Sequence, residues 1–98
     1  MGIVGSRLPC YLVEWYWPGL TEDQLDRTVA NLDECAAMMS TAGCAVRLLV
    51  TIAMRADEVL FGVFAASSEQ AVAQACDRAG VPAERLAATV DAWMVAKS

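Results

Sequence analysis

The chain has 98 residues, 57% of them apolar and 19% charged, with twelve acidic residues against seven basic ones and a net charge of −5. That length allows one domain and that apolar share excludes disorder, while the acidic balance gives no cationic footprint for a nucleic acid or an anionic membrane. The apolar runs 45–54 and 59–66 are interrupted or preceded by Arg47, Asp57 and Glu58, so neither reaches the ~18 residues of a membrane-spanning helix.

The opening MGIVGSRLPC lacks the long apolar stretch of a secretion signal, which points to a cytoplasmic protein with reduced thiols. MGIVGS also fits the M-G-x-x-x-[ST] acylation pattern, one short enough to recur by chance. Residues 10–17, CYLVEWYW, are β-branched and aromatic and stop at Pro18-Gly19, which predicts a first strand ending in a turn. Thr21 and Gln24 then form a capping-box pattern, with Leu20 and Leu25 placed as a hydrophobic staple. Leu25, Val29, Leu32, Ala36 and Met39 follow on one stripe before Gly43, so a helix is expected over 22–42.

Residues 45–54 and 59–66 are strand-length apolar runs joined by the charged tip Arg55-Ala56-Asp57-Glu58, the pattern of a hairpin. A second helix is expected over 68–79, capped by Ser67 with Gln70 in support and presenting Val72, Ala75, Cys76 and Ala79 before Gly80. Pro82 is placed to open a single helical turn. Residues 87–95 alternate Val90, Ala92 and Met94 against Thr89, Asp91 and Trp93, as a fourth strand would.

The order β-α-β-β-α-β predicts a ferredoxin-like α+β domain over residues 1–98, with an ordered core of roughly 9–96. Its four-stranded antiparallel sheet would carry both helices on one face. Strand three is nevertheless apolar on both sides, with Leu60, Gly62 and Phe64 alternating with Val59, Phe61 and Val63. No further element remains to cover the second face, so a homodimer packed sheet to sheet, a dimeric α+β barrel, is expected.

Residues 11–25, YLVEWYWPGLTEDQL, and 56–86, ADEVLFGVFAASSEQAVAQACDRAGVPAERL, resemble the family known as domain of unknown function 4242, a group of small bacterial proteins. The likeness spans roughly residues 11–91 and rests on the V-E-x-x-x-P-G strand end, the D-E-x-x-F-x-V-F hairpin and the A-G-V-P-A-E-R turn. It implies a ferredoxin-like fold, commonly dimeric, with nickel binding in some members, and it does not imply a catalysed reaction. This chain departs from the pattern: it has no histidine, and Gly62 stands where cysteine is often found, so no metal ligands are assigned.

Glu14 is a carboxylate in the middle of an apolar strand, where it needs a proton, a cation or hydrogen-bond donors. Alternation puts Leu12, Glu14 and Tyr16 on one face. If Val90, Ala92 and Met94 face the helices, Asp91 and Trp93 share that open face, where Gly62 would leave a depression. Glu14, Tyr16, Asp91 and Trp93 are therefore the candidate ligand-binding residues. The competing reading pairs Glu14 with Arg47 or Arg55, or leaves it at a solvated sheet end.

Cys35 and Cys76 read as packed thiols on or beside helical stripes, with Cys44 the best placed for exposure. Met38, Met39, Met54 and Met94 read as gap-filling core rather than a cuprous site. Trp15, Trp17 and Trp93 either stack a planar ligand or supply interface area. No histidine, G-x-S-x-G or glycine-rich phosphate loop is present, so no catalytic residue or cofactor is assigned. The expectation is a binding or sensing module for a small ligand or metal ion. The alternatives are a cofactor-free enzyme of the isomerase or monooxygenase kind and a purely structural dimer.

Overall fold

The aromatic run after Pro9 forms β1 (Cys10–Tyr16) in a computed structural model that describes residues 8–89. Thr21 then caps α1 (Glu22–Thr41), and both halves of the expected capping box are made: the Thr21 hydroxyl accepts from Gln24 N–H at 3.1 Å, and the Gln24 amide oxygen accepts from Thr21 N–H at 3.0 Å. Such a cap is worth about 1 kcal/mol. Gly43, at φ 98°, takes the left-handed position past the helix end.

β2 (Val46–Met54), a 3-10 turn over Arg55–Asp57 and β3 (Val59–Ala66) form the expected hairpin. α2 (Glu69–Arg78) begins one residue later than its pattern suggested. Ser68, not Ser67, is its cap and accepts from Ala71 N–H at 3.1 Å, because the Ser67 backbone N–H is engaged with the Ala45 carbonyl at 2.9 Å.

β4 (Arg85–Thr89) starts two residues before the expected 87, and the expected helical turn at Pro82 is absent from the described residues. The chain from 81 to 86 is instead tied to β1. Trp15 Nε1–H donates to the Val81 carbonyl at 2.9 Å, the Glu84 carboxylate accepts from Tyr16 N–H at 3.0 Å, and Arg85 and Leu86 pair with Glu14 and Val13. The rest of the expected strand, including Asp91, Trp93 and Met94, lies outside the described residues.

The sheet order β2-β3-β1-β4, antiparallel throughout, is the ferredoxin-like arrangement. Tyr11, Val13 and Trp15 of β1 join Leu60, Phe64 and Ala66 of β3 in one core with Leu32, Ala36 and Met39 of α1 and Val72, Ala75 and Cys76 of α2. Fully burying a Val, Leu or Phe side chain in such a core contributes ~1.5–3 kcal/mol. Both helices therefore sit on one face, as expected.

Gly62 belongs to this helix-facing layer and leaves no depression on the open face, which corrects the expectation. It pairs with Val13, and a Cβ on it would lie 3.1 Å from Trp15 Cζ3 and 3.3 Å from Phe64 Cε1. Its missing side chain makes room for the Trp15 indole, which is 3% exposed. Trp15 is thus a core residue, neither a stacking platform nor interface area. Gly62→Ala is expected to overpack this contact and destabilise the fold by about 1–3 kcal/mol, measured by urea unfolding followed through tryptophan fluorescence.

Candidate functional site

Two candidate sites emerge, one on the open sheet face and one at an end of the sheet. Leu12 and Glu14 of β1 stand on the open face beside Val63 and Phe61 of β3. A bulge at Leu48/Val50 changes the side to which β2 points. Before it, Val46 and Leu48 oppose the core residues Ala66 and Phe64; after it, Val50, Ile52 and Met54 oppose Val63, Phe61 and Val59 on the open face. Ile52 and Met54 are consequently 49% and 45% exposed.

Within this face, Leu12, Glu14, Arg85, Leu86 and Ala87 line an open depression of about 480 Å³. Glu14 and Arg85 are directly opposed across β1 and β4. This corrects the expected partners: Arg47 is on the same face but opposes Ala65, four residues along β3 from the Phe61 that opposes Glu14, and Arg55 donates to the Leu20 carbonyl at 3.1 Å. Among the described residues Glu14 forms no hydrogen bond or ion pair. A half-buried carboxylate beside a guanidinium, over an aliphatic floor, can hold a polar group of a small molecule.

Tyr16 does not join Glu14 in that depression. It is 59% exposed at the end of β1, and its hydroxyl donates to Glu58 Oε1 at 3.1 Å. That hydrogen bond, then the Glu58 charge, raises the phenol above its ordinary pKa. By register Glu14 and Tyr16 share the open face as expected, but only Glu14 lines the depression, and the other two, Asp91 and Trp93, are not among those described. Arg85 was missed in the sequence because it sits before the apparent start of strand four; its parity with Ala87 and Thr89 was the available signal.

The second site is a cleft of about 150 Å³ lined by Trp17, Gly19, Leu20, Ala53, Met54, Arg55, Glu58 and Val59. Three bonds fasten its walls together: Trp17 N–H to the Glu58 carbonyl at 2.7 Å, the Arg55 guanidinium to the Leu20 carbonyl, and Tyr16 to Glu58. Glu58 occupies the left-handed region at φ 57°, ψ 38°, a conformation costing a non-glycine residue ~1–2 kcal/mol.

No group of three or more histidine, cysteine, aspartate or glutamate side chains is gathered among the described residues. Cys35, Cys44 and Cys76 carry free thiols in separate settings. Cys44 is half-buried against the core rather than exposed. The expected packing of the methionines holds for Met39, whereas Met38 is 60% exposed and Met54 faces outward.

Neither a family model nor a curated protein matches the chain. Among solved structures it is similar to the crystal structure of SCO4226 from Streptomyces coelicolor A3(2), with a TM-score of 0.64 and 19% identity over 79% of this chain and 90% of that one. At that identity the likeness establishes the fold alone. No described helix is long and apolar enough to cross a membrane.

Burial pushes the Cys76 thiol up from 9.0 to about 12, with the Asp77 charge adding to it. The neutral thiol is the form that the fold favours, so its stabilisation is intact below pH 9.0 and is lost as pH rises toward about 12. Cys76→Ala is expected to remove this component of the alkaline stability loss, measured by urea unfolding across that range. In peptide mapping after iodoacetamide treatment, Cys44 is expected to label in the folded protein and Cys76 only after unfolding.

Proposed function

We propose that the chain is a bacterial, cytoplasmic homodimeric binding module of the domain of unknown function 4242 kind, taking a small organic ligand at the open sheet face. The observation that carries this reading is an apolar face holding a carboxylate that has no hydrogen bond or ion pair among the described residues. Leu12, Val50, Ile52, Met54, Val59, Phe61 and Val63 share that face with Glu14. The molecule measures 36 × 32 × 20 Å, and its thin dimension matches one sheet layer and one helix layer.

A standard stable interface buries roughly 800 Å² per partner, which a second copy would have to cover on this face. A second copy covering it would exclude water from the Glu14–Arg85 depression and strengthen polar contacts there. Free thiols on Cys35, Cys44 and Cys76 accord with a reducing compartment, and the sequence motifs support the family assignment. The absence of a described metal-ligating group favours an organic ligand over a metal ion.

Sedimentation velocity at micromolar concentration is expected to give a dimer for the wild type and a monomer for Phe61→Glu, which places a charge in the middle of the face. A wild-type monomer would overturn the dimer. Native mass spectrometry of freshly purified protein is expected to show a retained small molecule that Glu14→Gln loses without loss of folding. If the mutant instead melts lower with no effect on any bound molecule, Glu14 has a structural role and the binding reading fails.

A further inference from the structure

The cleft at the end of the sheet is built from one chain and carries chemistry distinct from that of the open face. Its apolar walls are Trp17, Leu20, Met54 and Val59, of which Trp17 and Leu20 pack against the core. Those two are held in place by the core, while Met54 is 45% exposed. Two opposite charges, Arg55 and Glu58, share its lining. They stand on either side of a 3-10 turn whose closing bond runs from Glu58 N–H to the Arg55 carbonyl at 3.1 Å.

Among the described residues these two charges do not pair with each other or with any other charged group. Arg55 uses one of its donors on the Leu20 carbonyl, and a guanidinium has five. Glu58 accepts the Tyr16 hydroxyl at one carboxylate oxygen, which leaves acceptor sites open. Both exposed heads are thus anchored by one protein bond each, with their remaining donors and acceptors open to solvent or to a ligand. The left-handed backbone at Glu58 adds to this, because glycine would adopt it without strain.

A simple anion would meet Glu58, and a simple cation would meet Arg55. A molecule carrying both charges satisfies both walls. An engineered cavity of ~150 Å³ holds benzene, and that sets the scale of the apolar portion. We propose that this cleft binds a small zwitterionic amino-carboxylate, such as an aliphatic α-amino acid, with its carboxylate on Arg55, its ammonium on Glu58 and its side chain against Trp17, Leu20, Met54 and Val59.

The test is a titration of the full-length, isotope-labelled protein with L-valine, followed by the Trp17 indole and Gly19 amide resonances. Isobutyrate and isobutylamine, which each keep only one of the charges, are the controls. Saturable shifts at both reporters with L-valine are expected, with each single-charge control at least about tenfold weaker, as the loss of a charge-assisted hydrogen bond implies. Glu58→Gln retains an acceptor for Tyr16 and is expected to weaken L-valine at least about tenfold while leaving isobutyrate no weaker.

Arg55→Lys keeps the charge and is expected to retain part of the affinity that Arg55→Ala loses. Should Arg55→Ala unfold the 17–20 turn, Glu58→Gln alone decides. Absence of saturable shifts with L-valine, equal binding of isobutyrate, or indifference to Glu58→Gln would each overturn the proposal. Because the reporters lie in the cleft and not beside Glu14, failure here leaves the sheet-face reading untouched.

Discussion

Two helices can cover only one side of a four-stranded sheet, and the surface of this molecule is organised by that asymmetry. β1 lies between β3 and β4, so its odd-numbered residues Tyr11, Val13 and Trp15 are drawn into the helix-covered core. Leu12 and Glu14 are thereby committed to the opposite face. An antiparallel sheet with one solvated face normally displays polar residues there, whereas this one displays mostly aliphatic and aromatic ones. The bulge in β2 is decisive, since without it Val50, Ile52 and Met54 would keep the side of Val46 and Leu48. An extra residue in one strand thus turns three large apolar side chains outward.

The two candidate sites answer to different parts of this architecture. The depression around Glu14 and Arg85 is shallow in one chain and gains enclosure only when something covers the sheet. The cleft around Trp17 is an open one formed by the chain's own connections, where the exit of β1, the turn before α1 and the hairpin tip meet. Tyr16 lies between these regions in sequence, yet its hydroxyl belongs to the second through Glu58. Occupation of the face by a second copy would therefore alter the first site directly, and would reach the second through Met54 and Val59, which the cleft shares with the face.

The order of elements was legible because local signals agreed with one another: a capping box at Thr21, glycine at 43 and 80, and apolar stripes at helical spacing. Glu14 stood out for the same reason, as a charge set in an apolar strand. The second site was not legible. Arg55-Ala56-Asp57-Glu58 has the composition of any solvated hairpin tip, and only the fold brings it beside Trp17 and Leu20, more than thirty residues earlier in the chain. The bulge was equally hidden, because residues 45–54 are apolar on nearly every position and alternation cannot report a change of side where both sides look alike. Ser67 and Ser68 offered two adjacent caps, and the contest was settled by a backbone bond from Ser67 to Ala45.

Gly62 shows how strand parity changes the meaning of a motif. It lies in the D-E-x-x-F-x-V-F hairpin, where the resemblance to the domain of unknown function 4242 pattern sets cysteine against this glycine. Its register partner is Val13 and its nearest atoms belong to Trp15 and Phe64, so any side chain at 62 enters the helix-covered core. A cysteine in that position would meet the Trp15 indole before it met solvent, and burial there would favour its neutral thiol over the thiolate that binds metal. The residue at 62 is therefore coupled to the size of its neighbour at 15, and the choice of glycine here is a packing solution for tryptophan. The chemistry of the open face must then come from residues of the other parity, among which Glu14 and Arg85 are the described pair that opposes a carboxylate to a guanidinium.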